Sequence, residues 1–341
     1  MSKKEITIYD LAEKLGLSAA TVSRALKDHP AINSETKKKV FALAKKMGYR
    51  TNKFASNLRK QKTNTIGVIV PRLNSPFMSS VLSGIEKTAN NKGYNIIISQ
   101  SLESEAKERS NVFTHFNNRV DALIVSLSYE TDNMDHFQSF INKEIPLVFF
   151  DRVPESINAT KVVIDNFRAG YEATLHLIEQ GYKDIVHITG NIKRNVYKDR
   201  FEGYKRALTD HNILYREDNF ICNDLSEDAI YNCIHNQILT RKKLPDALFI
   251  TNDTSAAFAL SILKENGIKI PSKMAIIGFN NDLISKVTEP NITTINYPGY
   301  QMGETVARIA IEKIDNKSEK DVTSTVILNA ELVVRGSTVK R

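Results

Sequence analysis

The sequence predicts a small three-helix domain with a helix-turn-helix, a short linker helix, and an α/β core of two doubly wound subdomains. Three observations predict it. Apolar residues recur at helical spacing through the first fifty residues, with Gly16 breaking the pattern early. From Thr63 onward, short β-branched runs alternate with helical stretches of about 15 residues. The positive charge also stops where that alternation begins. Residues 1–62 hold 15 Lys+Arg against 5 Asp+Glu, a surplus of ten, while the 341-residue chain carries +8, so residues 63–341 stand at −2.

Ile8, Leu11, Ala12 and Leu15 fall at i, i+3, i+4 and i+7, the stripe of a short helix that Thr7 caps with Asp10 at its third position. Gly16 ends it. Ser18 is the next N-cap, with Val22 and Leu26 inward and Ala19, Ala20, Ser23 and Arg24 outward. A third helix is expected to be capped by Ser34, to turn Val40, Phe41, Ala44 and Met47 inward, and to end at Gly48. Two short helices around a glycine turn present the second to a DNA major groove. A basic surplus confined to one small domain is the footprint of phosphate binding.

The string YDLAEKLGLSAATVSRAL, a third helix, then GYRTN and ASNL resemble the DNA-binding end of LacI/GalR-type bacterial transcription regulators. The resemblance implies a DNA-facing set of Thr7, Tyr9, Ser18, Ala19, Ala20, Thr21, Ser23, Arg24, Asn33, Tyr49, Asn52, Ala55 and Leu58. Phe54, Ala55 and Leu58 give residues 51–62 an apolar helical face. A lone helix that short falls below the ~12–15 residues needed in water, so it is expected to fold against its dimer mate on DNA. In the family this hinge enters the minor groove, and Leu58 matches its wedging leucine, with Ala55 beside it. A proline often precedes the family's hinge; Thr51 stands there here.

In the core, TIGVIV, NIIIS, DALIVS and PLVFF read as buried parallel strands of one subdomain. VVID, IVHI, NFICN, DALFI and MAIIG read as strands of the second, beginning near Val163. NITTIN, the helix GETVARIAIEKI and the strands TVILN and ELVVR close the chain. The expected domains are a DNA-binding domain over 1–50, the hinge over 51–62 and an effector-binding domain over 63–341. Its N-subdomain spans about 63–163 and 295–322, its C-subdomain about 164–294 and 323–341. The resemblance implies that three crossovers interleave the two, as in periplasmic sugar-binding proteins.

Nothing in the chain asks for catalysis. TIGVIVPRLNSPF lacks the GxGxxG of a dinucleotide fold, and neither a P-loop nor a GxSxG elbow occurs. His115, His176 and His187 read as packed or surface residues, so no metal, cofactor or enzyme activity is expected. Cys222 and Cys233 lack metal-ligand spacing and fit a reducing compartment. MSKKE leads straight into a helix, and the apolar runs fall short of the ~20 residues of a membrane span, which points to a cytoplasmic protein.

Ligands of open α/β sheets sit beyond the carboxyl ends of the strands. Asn74, Pro76, Phe77, Ser101, Ser126, Asp151 and Arg152 follow strands of the first subdomain; Asp165, Arg194, Arg200, Asn252, Asp253 and Asn280 come from the second. The resemblance implies that NSPF sets a ring against the ligand, that RNVYKDRFEGY supplies the gripping arginines Arg194 and Arg200, and that TND and GFN border the cleft. Plainer roles stand beside these: Asp151 pairing with Arg152, Asp253 capping a helix, Phe77 in the core. An arginine in a cleft needs an anionic or polyhydroxyl partner to offset its desolvation, which singles out Arg200. Asn280 stands where the family usually has aspartate, and an amide both donates and accepts, which opens the site to a different or a negatively charged sugar. The expected function is a ligand-responsive transcription regulator, a repressor that binds a palindromic DNA operator as a homodimer through helices starting near Phe77 and Thr254. A small-molecule effector, a sugar or sugar derivative, switches it. The alternative is a sugar-binding receptor or transport component on the same core.

Overall fold

The computed structural model describes residues 6–49, 62–316 and 323–339. The chain divides into two units, Met1–Thr63 and Asn64–Arg341. The hinge residues Asn52, Ala55 and Leu58 lie outside the described residues.

The first unit holds α1 (Ile8–Leu15), α2 (Ala19–Leu26) and α3 (Ser34–Met47). Asp10 N–H donates to Thr7 Oγ1 at 3.4 Å while Thr7 N–H donates to Asp10 Oδ2 at 2.6 Å, a reciprocal cap. Gly16 closes α1 in the left-handed region at φ 60°, and Thr21 N–H donates to Ser18 Oγ at 3.1 Å to open α2. Asn33, not Ser34, caps α3: its Oδ1 accepts from Thr36 N–H at 2.7 Å, which makes Ser34 the first helical residue. Leu11, Val22, Ala25 and Val40 are fully buried in the small core. Phe41, expected inward, is 48 % exposed. One residue past Val40 is a turn of about 100°, and the half-buried Leu43 fills the space instead.

The second unit begins with β1 (Thr65–Val70), α4 (Pro76–Asn91), β2 (Asn95–Gln100), α5 (Glu105–Asn117), β3 (Ala122–Val125), α6 (Gln138–Asn142), β4 (Leu147–Phe150) and β5 (Thr160–Ile164). Then come α7 (Asn166–Glu179), β6 (Ile185–Thr189), α8 (Asn195–Asp210), β7 (Phe220–Cys222), α9 (Glu227–Cys233), β8 (Ala247–Ile250), α10 (Asp253–Glu265), β9 (Ala275–Ile277) and α11 (Ile284–Val287). β10 (Thr294–Asn296), α12 (Gly299–Asp315), β11 (Thr325–Leu328) and β12 (Glu331–Val333) complete the order. One parallel sheet runs β11-β5-β4-β3-β1-β2 and another β7-β6-β8-β9, while β10 and β12 pair antiparallel. The chain therefore crosses between two lobes three times: after β5, after β10 and after β11.

Three expectations change here. VVID, assigned to the second subdomain, lies in β5, which pairs with β4 and β11 in the first sheet. TVILN, assigned to 323–341 of the C-subdomain, is β11 and also belongs to the first sheet. An apolar run states that a strand is buried but not which sheet it joins. NIIIS, read as buried, is the edge strand β2, with Ile97 and Ile98 each more than a third exposed.

Two helix pairs brace the lobes. A Cβ on Gly84 of α4 would sit 2.2 Å from Tyr300 O, and one on Gly303 of α12 2.0 Å from Val81 O. In the second lobe, a Cβ on Gly170 of α7 would meet Arg200 O at 2.3 Å, and one on Gly203 of α8 would meet Phe167 O at 2.1 Å. Backbones touch at both crossings, and glycine is the residue that permits it.

Candidate functional site

On the helix-turn-helix, Ala20 and Arg24 are exposed along α2, and Ala19, Thr21 and Ser23 are half-buried beside them. Arg24 has no ion-pair partner among the described residues. The exposed Ser18 hydroxyl lies 2.9 Å from that of Thr21. Tyr9 stands out from α1 at 70 % exposure, while Tyr49 packs against the small core. Thr7 and Asn33 serve as helix caps.

In the core unit, a cleft of about 390 Å³ opens between the lobes where β1, β4, β8 and β9 end. Asn74, Phe77, Asp151 and Arg152 line it from the first lobe, and Arg200, Asn252 and Asn280 from the second. Asn252 also caps α10, accepting from Ser255 N–H at 2.7 Å. Asp151 takes φ 56° and Asn280 φ 110°, left-handed backbone that side chains rarely adopt and that clusters at working sites.

Five expected residues are drawn away from the cleft lining. Ser126 is fully buried and donates to Asp151 Oδ2 at 3.3 Å, so it holds a lining residue. Asp165 caps α7, accepting from Arg168 N–H at 2.8 Å. Asp253 sits behind the wall: it accepts from Thr294 Oγ1 at 2.7 Å and Asp282 N–H at 2.8 Å, and burial raises its carboxyl to about 7. Ser101 is fully buried behind the end of β2. Arg194 points across the lobes instead, donating Nη2 to Thr131 O at 2.7 Å.

That last contact is one of a group. Lys193 Nζ lies 3.0 Å from Asp132 Oδ2, Asn195 Nδ2 donates to Asp151 O at 3.0 Å, and the Tyr129 and Tyr197 hydroxyls meet at 2.8 Å. The first turn of α8 and the residues before it thus tie the second lobe to the first at one lip of the cleft. The loop carrying Tyr129 is set from beneath by the buried Glu108, which accepts from Ser128 N–H at 2.8 Å and Thr131 Oγ1 at 3.0 Å. His136 Nε2 lies 2.9 Å from the same carboxylate.

The cleft's arginines are already occupied. Arg152 Nη1 donates to Glu103 Oε2 at 2.8 Å, and its guanidinium lies 4.1 Å from the Tyr129 ring centroid. Arg200 lies 3.6 Å over the Phe279 ring and donates to Asn166 Oδ1 at 2.9 Å and Thr251 O at 3.2 Å. Arg72 lies 3.6 Å from Glu103 Oε1. Tyr297 stacks on Phe77 with centroids 4.2 Å apart and donates its hydroxyl to Asp151 Oδ1 at 2.8 Å. Burial raises the carboxyls of both Asp151 and Asp282.

Residue-by-residue reading missed Glu103, Tyr129, Tyr197, Asp282 and Tyr297, all on the cleft wall. Glu103 and Tyr129 lie a few residues beyond strand ends, so a wider window after each strand finds them. Tyr197 lies inside the segment that supplied Arg200. Tyr297 arrives on a crossover, and no strand-end rule points to it.

The first helices and the core each match a known family model. Residues 7–52 match the bacterial regulatory proteins of the lacI family, and residues 174–338 match a periplasmic binding protein-like domain. Catabolite control protein A of Priestia megaterium is 30% identical over 334 residues, covering 98% of this chain and 99% of that one. The chain belongs to the lacI family. HTH-type transcriptional repressor PurR of Haemophilus influenzae (strain PittEE) is 31% identical, covering 97% of this chain and 98% of that one. Among solved structures, a transcriptional regulator CelR–cellobiose complex superposes with TM-score 0.73 at 25% identity, covering 98% of this chain and all of that one. Family members of this kind are DNA-binding transcription regulators. Among the described residues no helix is long and apolar enough to cross a membrane, and no group of three or more His, Cys, Asp or Glu is placed to hold a metal.

Proposed function

We propose that the chain is a repressor that binds a palindromic operator as a homodimer and is switched by a neutral sugar in the cleft. The observation that carries the ligand class is the charge on the wall. Arg72, Arg152 and Arg200 face Glu103, Asp151, Asp224, Glu227 and Asp282, so the cleft offers no cationic surplus to a phosphate or carboxylate. Aromatic faces at Phe77, Tyr129 and Tyr197 and amides at Asn74, Asn252 and Asn280 suit the apolar faces and hydroxyls of a polyol. The negatively charged sugar that Asn280 left open is disfavoured by the same count.

Ligand that bridges both lobes alters the contacts of Lys193–Tyr197 with the first lobe, and the lobe rotation is passed to the hinge over 51–62. Coupling of this sort is worth ~1–3 kcal/mol. The dimer face includes the edge strand β2 with Ile97 and Ile98, beside the α4 that starts near Phe77, and the exposed Leu283 and Val287 near α10. Arg24 reads a base or grips a phosphate, with Ala19 and Ala20 against thymine methyls.

The test is calorimetry with neutral mono- and disaccharides, their phosphates and purines, followed by operator release. A neutral sugar is expected to bind at least about tenfold tighter than its phosphate. Tighter binding of the phosphate or of a purine sinks the ligand class. Light scattering that shows a monomer on operator DNA sinks the dimer.

A further inference from the structure

β8, which ends at the cleft, begins with its neighbours β6 and β7 at a second concavity. Lys183 and Asp184 precede β6, Asn219 precedes β7 and Asp246 precedes β8; with Arg216 and Lys242 they surround a cavity of about 610 Å³. We propose that this base of the second lobe is a separate binding site for the oligophosphate group of a small molecule.

The acidic side chains there are consumed internally. Asp246 Oδ2 accepts the backbone N–H of Lys183 at 3.0 Å and of Asp184 at 2.9 Å. Asp184 Oδ1 accepts from Asn219 Nδ2 at 2.7 Å, and the Asp218 carboxylate is forked by Arg216 at 3.1 and 2.5 Å. Arg241 is held rigid: it donates to Asn219 Oδ1 at 2.8 Å, to Gln237 O at 2.9 Å and to Asp218 O. Asn219, only 5 % exposed, joins Asp184 to Arg241 and so fixes the floor.

The three lysines are not consumed. Lys183, Lys242 and Lys243 ring the cavity, are exposed, and have no ion-pair partner among the described residues. Five cations against three carboxylates leave this rim positive, although residues 63–341 as a whole stand at −2. Three exposed ammonium groups around one hollow make it a positive concavity, which attracts anions of high charge. A single-charge anion can neutralise one of them; a di- or triphosphate carries enough charge for more than one. The site stands apart from the cleft and does not depend on what the cleft takes.

The experiment is titration of the full chain with inorganic pyrophosphate at fixed ionic strength, alone and in competition with ATP. The expected result is saturable one-to-one binding at about 1 mM or tighter. Combined Lys183→Glu, Lys242→Glu and Lys243→Glu weakens it at least about tenfold with an unchanged melting temperature. Lys92→Glu with Lys107→Glu, exposed lysines of the first lobe, and Arg200→Ala in the cleft both leave it unchanged. ATP that displaces pyrophosphate assigns a nucleotide; pyrophosphate without ATP assigns a non-nucleoside diphosphate, and either keeps the site. Non-saturable binding, equal displacement by sulfate, an equal loss in the first-lobe control, or a loss with Arg200→Ala overturns it.

Discussion

The two lobes are built alike and hold their cleft arginines differently. Each has a helix pair crossing at two glycines with backbone in contact, and each presents one buried arginine to the cleft. In the first lobe Arg152 sits on the loop after β4 and is neutralised by Glu103. In the second, Arg200 sits on α8, its own carbonyl lies at the Gly170 crossing, and it bonds carbonyl oxygens beneath the Phe279, Tyr197 and Tyr297 rings, with no carboxylate in ion-pair contact among the described residues. An ion pair makes Arg152 part of the lobe's framework. Arg200 has neutral partners and no carboxylate in ion-pair contact among the described residues, so its charge is less fully compensated than that of Arg152, and its position is set by helix packing.

The largest effect expected of this difference is on stability. Arg152→Ala removes the closer cation from the buried Glu103, which keeps the half-exposed Arg72 at 3.6 Å and the Tyr129 N–H at 3.0 Å, and should cost about 3 kcal/mol in chemical denaturation. Adding Glu103→Gln should restore much of it, and no recovery means the pair is not what holds Arg152. Arg200→Ala should act mainly on affinity, by about 1.5–3 kcal/mol for the proposed effector, measured by calorimetry with the ligand that the saccharide titrations identify. Equal affinity losses in the two arginine variants would erase the distinction between the lobes.

The glycine crossings divide the effect further. Gly170→Ala and Gly303→Ala should each cost about 1–3 kcal/mol of stability, since the added methyl meets backbone rather than a movable side chain. Only Gly170→Ala should also weaken effector binding, because the clash falls on Arg200 itself. The smallest effect is a pH dependence. His187 is stacked among Tyr204, Phe201 and Phe249, and burial lowers its imidazole to about 3. A depressed folded value means stability that is complete above pH ~6.5 and is lost as pH falls toward 3. His187→Phe should therefore gain about 1–2 kcal/mol on the parent between pH 7.5 and pH 5, read from melting curves at both.

Much of this was legible in the residues. The helix boundaries of the first unit follow from Thr7, Gly16 and Ser18, because caps are local chemistry. Ser34 was the expected cap of α3 and Asn33 holds that place, since either residue type can cap and the choice rests on one residue of backbone. Strands were found as runs, but β5 and β11 were placed in the wrong lobe, because sheet membership depends on the partner, and these two pair with each other across more than 160 residues of chain. The strand-end rule brought Asn74, Asp151, Arg200 and Asn280 to one cleft. It also collected Asp165 and Asp253, which face strand ends from behind as caps and braces. Arg194 was misplaced because two arginines six residues apart on a helix start face different neighbours, and only the fold shows which one meets Thr131.

The place of β11 has a consequence for synthesis. The first sheet lacks an edge strand until residues 325–328 leave the ribosome, whereas every described residue of the helix-turn-helix has been made by Tyr49. At ~5–20 residues per second that gap lasts on the order of 15 s to a minute. Throughout it, a finished DNA reader is tethered to an unfinished sensor, and a message truncated before Thr325 yields a chain that keeps the reader without a complete first sheet.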